Sequence, residues 1–478
     1  MPLLFEKLTH LTRALRSYIY RDPVTLDWRI CDDLAYGTPL PAADDPRWRP
    51  LRPGEPWGTR LTWAWLVADT TIPSGFAGRP AALHLAFETL RTDPSAEIFS
   101  PPEAMIAVSG VDARLQAINA IHHEVWLAEQ ASAGLPLHIV MDCCTGNTHP
   151  GDHQVQLRTS ELVWIDREVE ALYWDAAVLL ETVAALPEAI PERGTYLRVL
   201  DDAFRCINWL NPPDEAFLAG VREARQTLQE RIFQHPPLTG GVAPRPVLHA
   251  LGHAHLDVEW LWPLRVTRGK AARTFATALE LMDHYPDYTF TQSQPQLYKL
   301  VSEDFPELFE RVKARIAEGR WNATGGTWVE MDTNITGGES LVRQLLYGMR
   351  YFEHELGVRP EVLWLPDAFG YSAALPQLAQ LAGLRYFFTT KMSWNQYTRH
   401  PYETFWWEGV DGSRILTHLG TTPSLDDTGR RMANWTNYNS RMVPDEIVQT
   451  WTEYQQKDAN HHLIFVYGLG DGGGGPSR

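Results

Sequence analysis

The twelve residues HPPLTGGVAPRP, at 235–246, divide the chain into two rhythms. Proline fixes φ and removes a donor, and glycine loosens the backbone, so a run this dense in both reads as a domain boundary. After it, apolar strand-like runs recur at 247–252, 288–291, 322–329, 362–365, 386–389, 414–418 and 463–467. Helical patterns separate several of them, at 270–284, 307–318 and 338–355. Strands alternating with helices argue for parallel βα units and an α/β fold. Seven strands fit either a βα barrel or a doubly wound sheet, and periodicity alone does not choose.

Before the boundary the texture differs. The N-terminal MPLLFEKLTHLTRALRSYIY reads as an amphipathic helix, followed by a Pro- and Asp-rich lead-in. From Trp57 to about Glu161 short alternating segments such as RLTWAWLVADTTI, AALHLAFETL, AMIAVSG and HHEVWLAE predict a β-sandwich. From Leu162 to Phe233, VWIDREVEALYWDAAVLLETVAAL and DEAFLAGVREARQTLQERI carry apolar residues at helical spacing. The expected organisation is therefore 1–161, helix plus β-sandwich; 162–246, helical connector and linker; and 247–478, a βα domain.

Composition narrows the partners. Lys+Arg 42 against Asp+Glu 59 leaves a net charge of −17 across 478 residues, which repels phosphate backbones and makes nucleic acid a poor partner. No apolar run of about 18 residues offers a membrane span. The N-terminus lacks an uninterrupted apolar core and a small-residue cleavage site, so it does not read as a signal peptide. The four cysteines form no C-x-x-C pair, which argues against a zinc-thiolate site and fits buried thiols in a reducing cytoplasm.

Four segments carry chemistry, each at the end of an apolar run. GHAHLDVEWLWP (252–263) follows the run VLHAL. On a strand, His253, His255 and Asp257 would share a face, and imidazole with carboxylate at that spacing suits a divalent cation such as zinc. The same residues also fit a polar strand end. VLWLPDAFGYS (362–372) ends at Asp367 with Phe369 beside it. That carboxylate could ligate metal, attack as a nucleophile or cap the next helix. WNATGGTWVEMDTN (321–334) reads as a strand with a double-glycine kink, then Glu330 and Asp332 two apart on one face. IFVYGLGDGGGGP (464–476) satisfies G-x-G-x-x-G at Gly468, Gly470 and Gly473 and presents Asp471 among glycines, but the following helix and strand of a dinucleotide site are missing. Several carboxylates, at least one histidine and exposed-type aromatics such as Trp260 and Phe369 are the equipment of glycoside hydrolysis. Each aromatic also fits ordinary core packing.

These motifs, together with GRWNATGGTWVEMDTNITGGESLVRQ and FWWEGVDGSRILTH, resemble in content and order those of glycoside hydrolase family 38, the α-mannosidases, in the branch that includes bacterial and cytosolic enzymes. The resemblance spans about residues 50–478. It implies a seven-stranded βα-barrel catalytic domain behind a β-sandwich and a helical connector. It implies a retaining, zinc-dependent α-mannosidase acting on terminal linkages of mannose-containing oligosaccharides. By that match His255, Asp257 and Asp367 ligate zinc, and Asp367 is also the nucleophile. Trp260 stacks under mannose, Phe369 stands beside it, Asp332 contacts sugar hydroxyls, and Asp471 is the candidate general acid/base. Family members are about twice this long, with a fourth ligand, a histidine, farther on. The expectation is thus an N-terminal half, weak in metal and activity alone, completed by a C-terminal half from the same gene or a separate chain. His253 and His418 are the internal candidates for the fourth ligand. A homo-oligomer is compatible with all of this. Two other readings compete: a metal-dependent carbohydrate deacetylase or amidohydrolase, and a mannose-binding remnant without turnover.

Overall fold

The computed structural model describes residues 2–477, apart from 53, 92–96, 112–113, 150–152, 235–245, 396 and 426–429. The linker at 235–246 therefore lies, but for its last residue, outside the described residues.

The N-terminal region is built from helix α1 (Pro2–Arg16) and twelve strands. These are β1 (Tyr20–Thr25), β2 (Trp28–Leu34), β3 (Arg49–Leu51), β4 (Trp63–Thr71), β5 (Ala81–Arg91), β6 (Glu97–Ser100), β7 (Glu103–Ser109), β8 (Gln116–Ile118), β9 (Glu124–Ala128), β10 (Pro136–Cys144), β11 (Asn147–His149) and β12 (His153–Ile165). All pair antiparallel, in the orders β1-β12-β5-β9, β3-β2-β4-β10-β7-β8 and β11-β6. The alternation read from the sequence sets the faces. In β10, Leu137, Ile139, Met141 and Cys143 point inward while Pro136 and His138 point out. They meet Leu66, Leu83, Leu85, Ile106 and Val155 in one core shared by the two larger sheets.

β12 runs past position 161 to Ile165, so the helical segment starts later than its apolar periodicity suggested. Asp166 stops the strand and caps α2 (Arg167–Ala185), its carboxylate accepting from Val169 N at 3.3 Å. Helices α3 (Pro191–Arg205) and α4 (Glu215–Leu228, capped by Asp214) complete the helical layer over β12 and α1. None of the described helices is long and apolar enough to cross a membrane.

Beyond the linker strands and helices alternate: β13 (Val247–His253), α5 (Leu264–His284), β14 (Phe290–Gln292), α6 (Pro295–Asp304), α7 (Pro306–Ala317), β15 (Trp321–Ala323), α8 (Gly338–Glu355), β16 (Val362–Trp364), α9 (Leu375–Ala382), β17 (Tyr386–Thr389), β18 (Thr404–Glu408), β19 (Arg414–Leu419), β20 (Pro423–Leu425), β21 (Arg431–Thr436), α10 (Pro444–Glu453) and β22 (His462–Tyr467). Each of the seven expected strands is present. β15-β14-β13-β22 form one parallel sheet, and β16-β17-β19 form another with antiparallel β18 at its edge. A single parallel bridge, Gly325 to Leu363, joins the two. The expected closed barrel is not formed by the paired strands among the described residues. β18 takes the edge of β19 that β22 would need, and β22 pairs only with β13, apart from one bridge from Tyr467 to Ser440.

Candidate active site

The functional groups gather where parallel strands end, as open α/β folds arrange them. β13 delivers His255 and Asp257, β16 delivers Asp367, β17 delivers Lys391, and β22 delivers Asp471. One ligand atom from each of His255, Asp257, Asp367 and Asp471 lies within 4.8 Å of the others.

Local geometry explains the convergence. After Tyr467 the chain must pass against β13. A Cβ at Gly468 would fall 1.8 Å from His253 O, so only glycine fits there. The loop then pairs with the one carrying the histidine: Asp257 N donates to Asp471 O at 2.9 Å, and Gly473 N donates to His255 O at 3.0 Å. Gln294, held at φ 65, ties a third segment in. Its side-chain Nε2 donates to Leu256 O at 2.8 Å and its Oε1 accepts from Glu330 N at 3.1 Å.

His255 is buried between acids. Nε2 lies 3.3 Å from Asp257 and 3.6 Å from Asp367, and Nδ1 lies 3.3 Å from Glu330. Burial by itself would lower its pKa, but Glu330 and Asp257 outweigh it and raise the imidazole well above its ordinary value. Asp471 moves the other way from a usual carboxylate. Burial raises its pKa, against a 2.8 Å hydrogen bond from Tyr438 Oη. Tyr438 packs edge-on to His255 at 4.9 Å, and burial, with Asp471 and Asp367 nearby, drives its phenol far up.

Three aspartates and a glutamate around one imidazole leave a strong local excess of negative charge. His255 Nδ1 and Glu330 Oε2 are buried without a hydrogen-bond partner. One imidazole with several carboxylate oxygens is the donor set of a hard-to-borderline divalent cation, so the residues fit a metal.

The sequence-predicted residues divide. His255, Asp257, Asp367 and Asp471 come together. Asp367 is not a helix cap, since α9 begins eight residues later behind Ala374. Trp260 and Phe369 are exposed, at 49% and 73%. Asp332 turns to solvent, its Oδ1 accepting from Asn334 N and Ile335 N. Positive φ at Gly325 and Gly326 ends β15 early, so the two-residue face rule does not reach 330–332, and Glu330 alone enters the site. His253 and His418 stay outside the cluster. His253 Nδ1 donates to Thr291 O at 2.9 Å, and His418 Nδ1 bonds Thr404 Oγ1 at 2.9 Å.

Lys391 and Tyr438 were not found from sequence. Lys391 Nζ pairs with Asp367 at 2.7 Å inside an aromatic box, 3.2 Å from the Trp394 ring centroid and 4.7 Å from that of Phe369. Its signal was its place, directly after the apolar run YFFTT. Tyr438 lies between strands and gave none.

Residues 245–478 match the model of the glycosyl hydrolases family 38 N-terminal domain. The Dictyostelium discoideum protein described as Alpha-mannosidase G is 46% identical over 326 residues, 68% of this chain and 28% of that protein. Human Alpha-mannosidase 2C1 is 32% identical over 442 residues, 90% of this chain and 39% of that protein. The crystal structure of an alpha-mannosidase from Enterococcus faecalis V583 aligns with 48% of this chain and 26% of its own at 22% identity and a TM-score of 0.39. The chain spans about two-fifths or less of the length of those two curated relatives. With the motifs at 252–263, 362–372 and 464–476 gathered at one set of strand ends, residues 245–478 belong to glycosyl hydrolase family 38, as its N-terminal domain.

Proposed function

We propose that this chain carries the catalytic region of a retaining α-mannosidase that hydrolyses terminal α-mannosidic linkages in mannose-containing oligosaccharides. The observation that carries it is the closeness of Asp367 and Asp471, each of which brings one carboxylate oxygen within 4.8 Å of one of the other's. Retaining glycosidases hold their two carboxyl groups about 5–5.5 Å apart, whereas inversion needs about 6.5–9.5 Å to admit a water. We read residues 247–478 as a seven-stranded βα barrel left open between β19 and β22. The antiparallel sheets within 1–161 are an ancillary β-sandwich, and 162–246 are a connector.

Asp367 attacks the anomeric carbon as the bond to the leaving oxygen breaks. Asp471, its carboxyl pKa raised by burial, gives its proton to that oxygen. Asp471 then takes a proton from water, whose oxygen displaces Asp367 from the sugar. Lys391 holds the other oxygen of the Asp367 carboxylate and so aims it. Trp260 and Phe369 offer apolar faces to the sugar ring. His255, Asp257 and Asp367 would hold a divalent cation, zinc by its donor set. When bound it would supply charge that favours carboxylate ionisation and coordination positions for the oxygens of the sugar hydroxyls. The four cysteines are all unpaired, which supports a reducing, cytoplasmic setting.

The test is trapping with a fluorinated mannosyl fluoride, followed by peptide mass analysis. The peptide containing Asp367 should gain one fluoromannosyl group. Continued mannoside hydrolysis without an adduct would overturn the nucleophile. Release of acetate from an acetylated sugar instead would identify a deacetylase, and mannose binding without turnover a remnant.

A further inference from the structure

Where Met105, Ala117 and Cys144 of the N-terminal sheets join one apolar cluster with Val266, Ala271 and Phe275 of α5, a buried group of charges lies at the same junction. Glu103, the first residue of β7, is 5% exposed, and Lys270 and Arg273 of α5 are as deeply buried. Lys270 Nζ donates to one oxygen of the Glu103 carboxylate, and Arg273 Nε donates to the other at 2.5 Å. Desolvating such ions costs several kcal/mol each, and apolar residues of the same volume often stabilise as much or more. A two-oxygen acceptor does something apolar contact does not: it fixes two donors, three residues apart on one helix, at set positions.

Lys270 makes a second contact. Its ammonium lies 4.9 Å from the ring centroid of Trp262, which is itself buried. Trp262 Nε1 donates to Thr267 Oγ1 at 3.1 Å, and the Thr267 hydroxyl donates to Val258 O, so the loop between β13 and α5 is pinned on the same ring. The Trp262 ring meets Trp260 at 5.9 Å and 82°, edge to face. Trp260 is half exposed at the end of this series. A continuous run of contacts thus joins a carboxylate of the N-terminal sheets to Trp260, an exposed aromatic on the loop that carries Asp257.

Resting on the reading of Trp260 as the residue that stacks on the sugar, we infer that Glu103 is a positioning residue. It clamps Lys270 against Trp262, and Trp262 sets the angle at which Trp260 meets the substrate. A cation–π contact strengthens when it is desolvated, which lets it hold one ring orientation over another. The N-terminal region is then part of the binding apparatus and not only a neighbour of it.

The experiment uses the 478-residue chain labelled with 5-fluorotryptophan, the Trp260 resonance being assigned with Trp260→Phe. Lys270→Met is the principal variant, because it leaves the Glu103–Arg273 pair intact. Glu103→Gln is the second. Both should shift the Trp260 fluorine resonance. Lys270→Met should also weaken binding of methyl α-mannoside about tenfold, and by less than about twofold in a Trp260→Ala background, as coupled residues do. A folded Lys270→Met protein with an unmoved Trp260 resonance would overturn the inference. So would equal weakening in both backgrounds, since a purely structural loss does not depend on Trp260. If Glu103→Gln fails to fold, Lys270→Met decides alone. Failure of the unsubstituted chain to bind methyl α-mannoside counts against the mannosidase reading, while the fluorine resonance still decides the clamp.

Discussion

The two halves of this molecule bury different things. Between the antiparallel sheets the interior is aliphatic and aromatic, with Ile30, Leu66, Leu83, Ile106 and Ile139 fully enclosed. At the ends of the parallel strands it is polar. Thr291, Gln292, Ser293, Gln294, Thr389, Thr390 and Lys391 are all buried there, and Gln292 has no hydrogen-bond partner on either side-chain atom. Buried polar groups cost free energy unless paired, so a region that keeps them has traded stability for chemistry. Stability should therefore respond most to mutation in the aliphatic interior and activity most to mutation at the strand ends, with Glu103 at the junction between them.

The largest expected effect lies on the polar side. Asp367→Asn should lower mannoside turnover by at least about 10⁴-fold, as loss of a nucleophile does, with little change in the unfolding midpoint. Asp367→Ala should also shed metal. Normal turnover by either would remove the nucleophile from the account. On the apolar side, Ile139→Ala should cost about 2–5 kcal/mol in urea unfolding, the range for a truncated buried aliphatic, and leave KM unchanged. A large change in KM with little loss of stability would collapse the contrast between the regions.

Metal retention sharpens it further. His255→Ala should weaken divalent-cation binding by about 100-fold, measured by competition with a chelator, whereas His253→Ala should have a much smaller effect. Equal losses would mean that the ligand has been placed on the wrong histidine. The smallest effect is a pH dependence at the junction. Burial lowers His122 to about 4, even though its Nε2 bonds Gly474 O at 3.1 Å. The unfolded chain, near 6.5, takes up a proton that the fold refuses, so stability falls as pH drops from about 6.5 toward 4. His122 should contribute about 2 kcal/mol of the loss between pH 7 and 4.5, alongside other buried histidines such as His84 and His418, and that share should disappear in His122→Asn.

The same contrast explains what could be read from the sequence. Alternation and helical spacing located β4, β5, β7 and β9 before the linker and seven strands after it, because burial of one face imposes a period. Helix α8 was read to the residue. β1 was missed because RDPVT puts proline and an acid into an edge strand, where the ladder tolerates them, and β2 because Asp32 and Asp33 interrupt its alternation. The site was legible where a motif stood at a strand end: His255, Asp257, Asp367 and Asp471. It was not legible where tertiary structure delivered the residue. Glu330 was seen but paired with Asp332 by a strand rule that two glycines suspend. Tyr438 arrives from a segment with no period at all, and the closure of the barrel turned on which strand, β18 or β22, reached the edge of β19.

Asp471 has φ 61, a left-handed backbone that costs most side chains about 1–3 kcal/mol and that asparagine, aspartate and glycine enter most easily. Its neighbours Gly473, Gly474 and Gly475 also have positive φ. Few of the single-nucleotide steps away from an aspartate codon are therefore open at this position. Those to asparagine and glycine keep the turn, and those to valine, alanine or tyrosine strain it whatever they do to the chemistry. On the acid/base role proposed for Asp471, a lineage abandoning catalysis could lose the carboxyl group here while keeping the loop intact, so an asparagine or glycine at 471 in a related chain would mark a binding protein that keeps the fold.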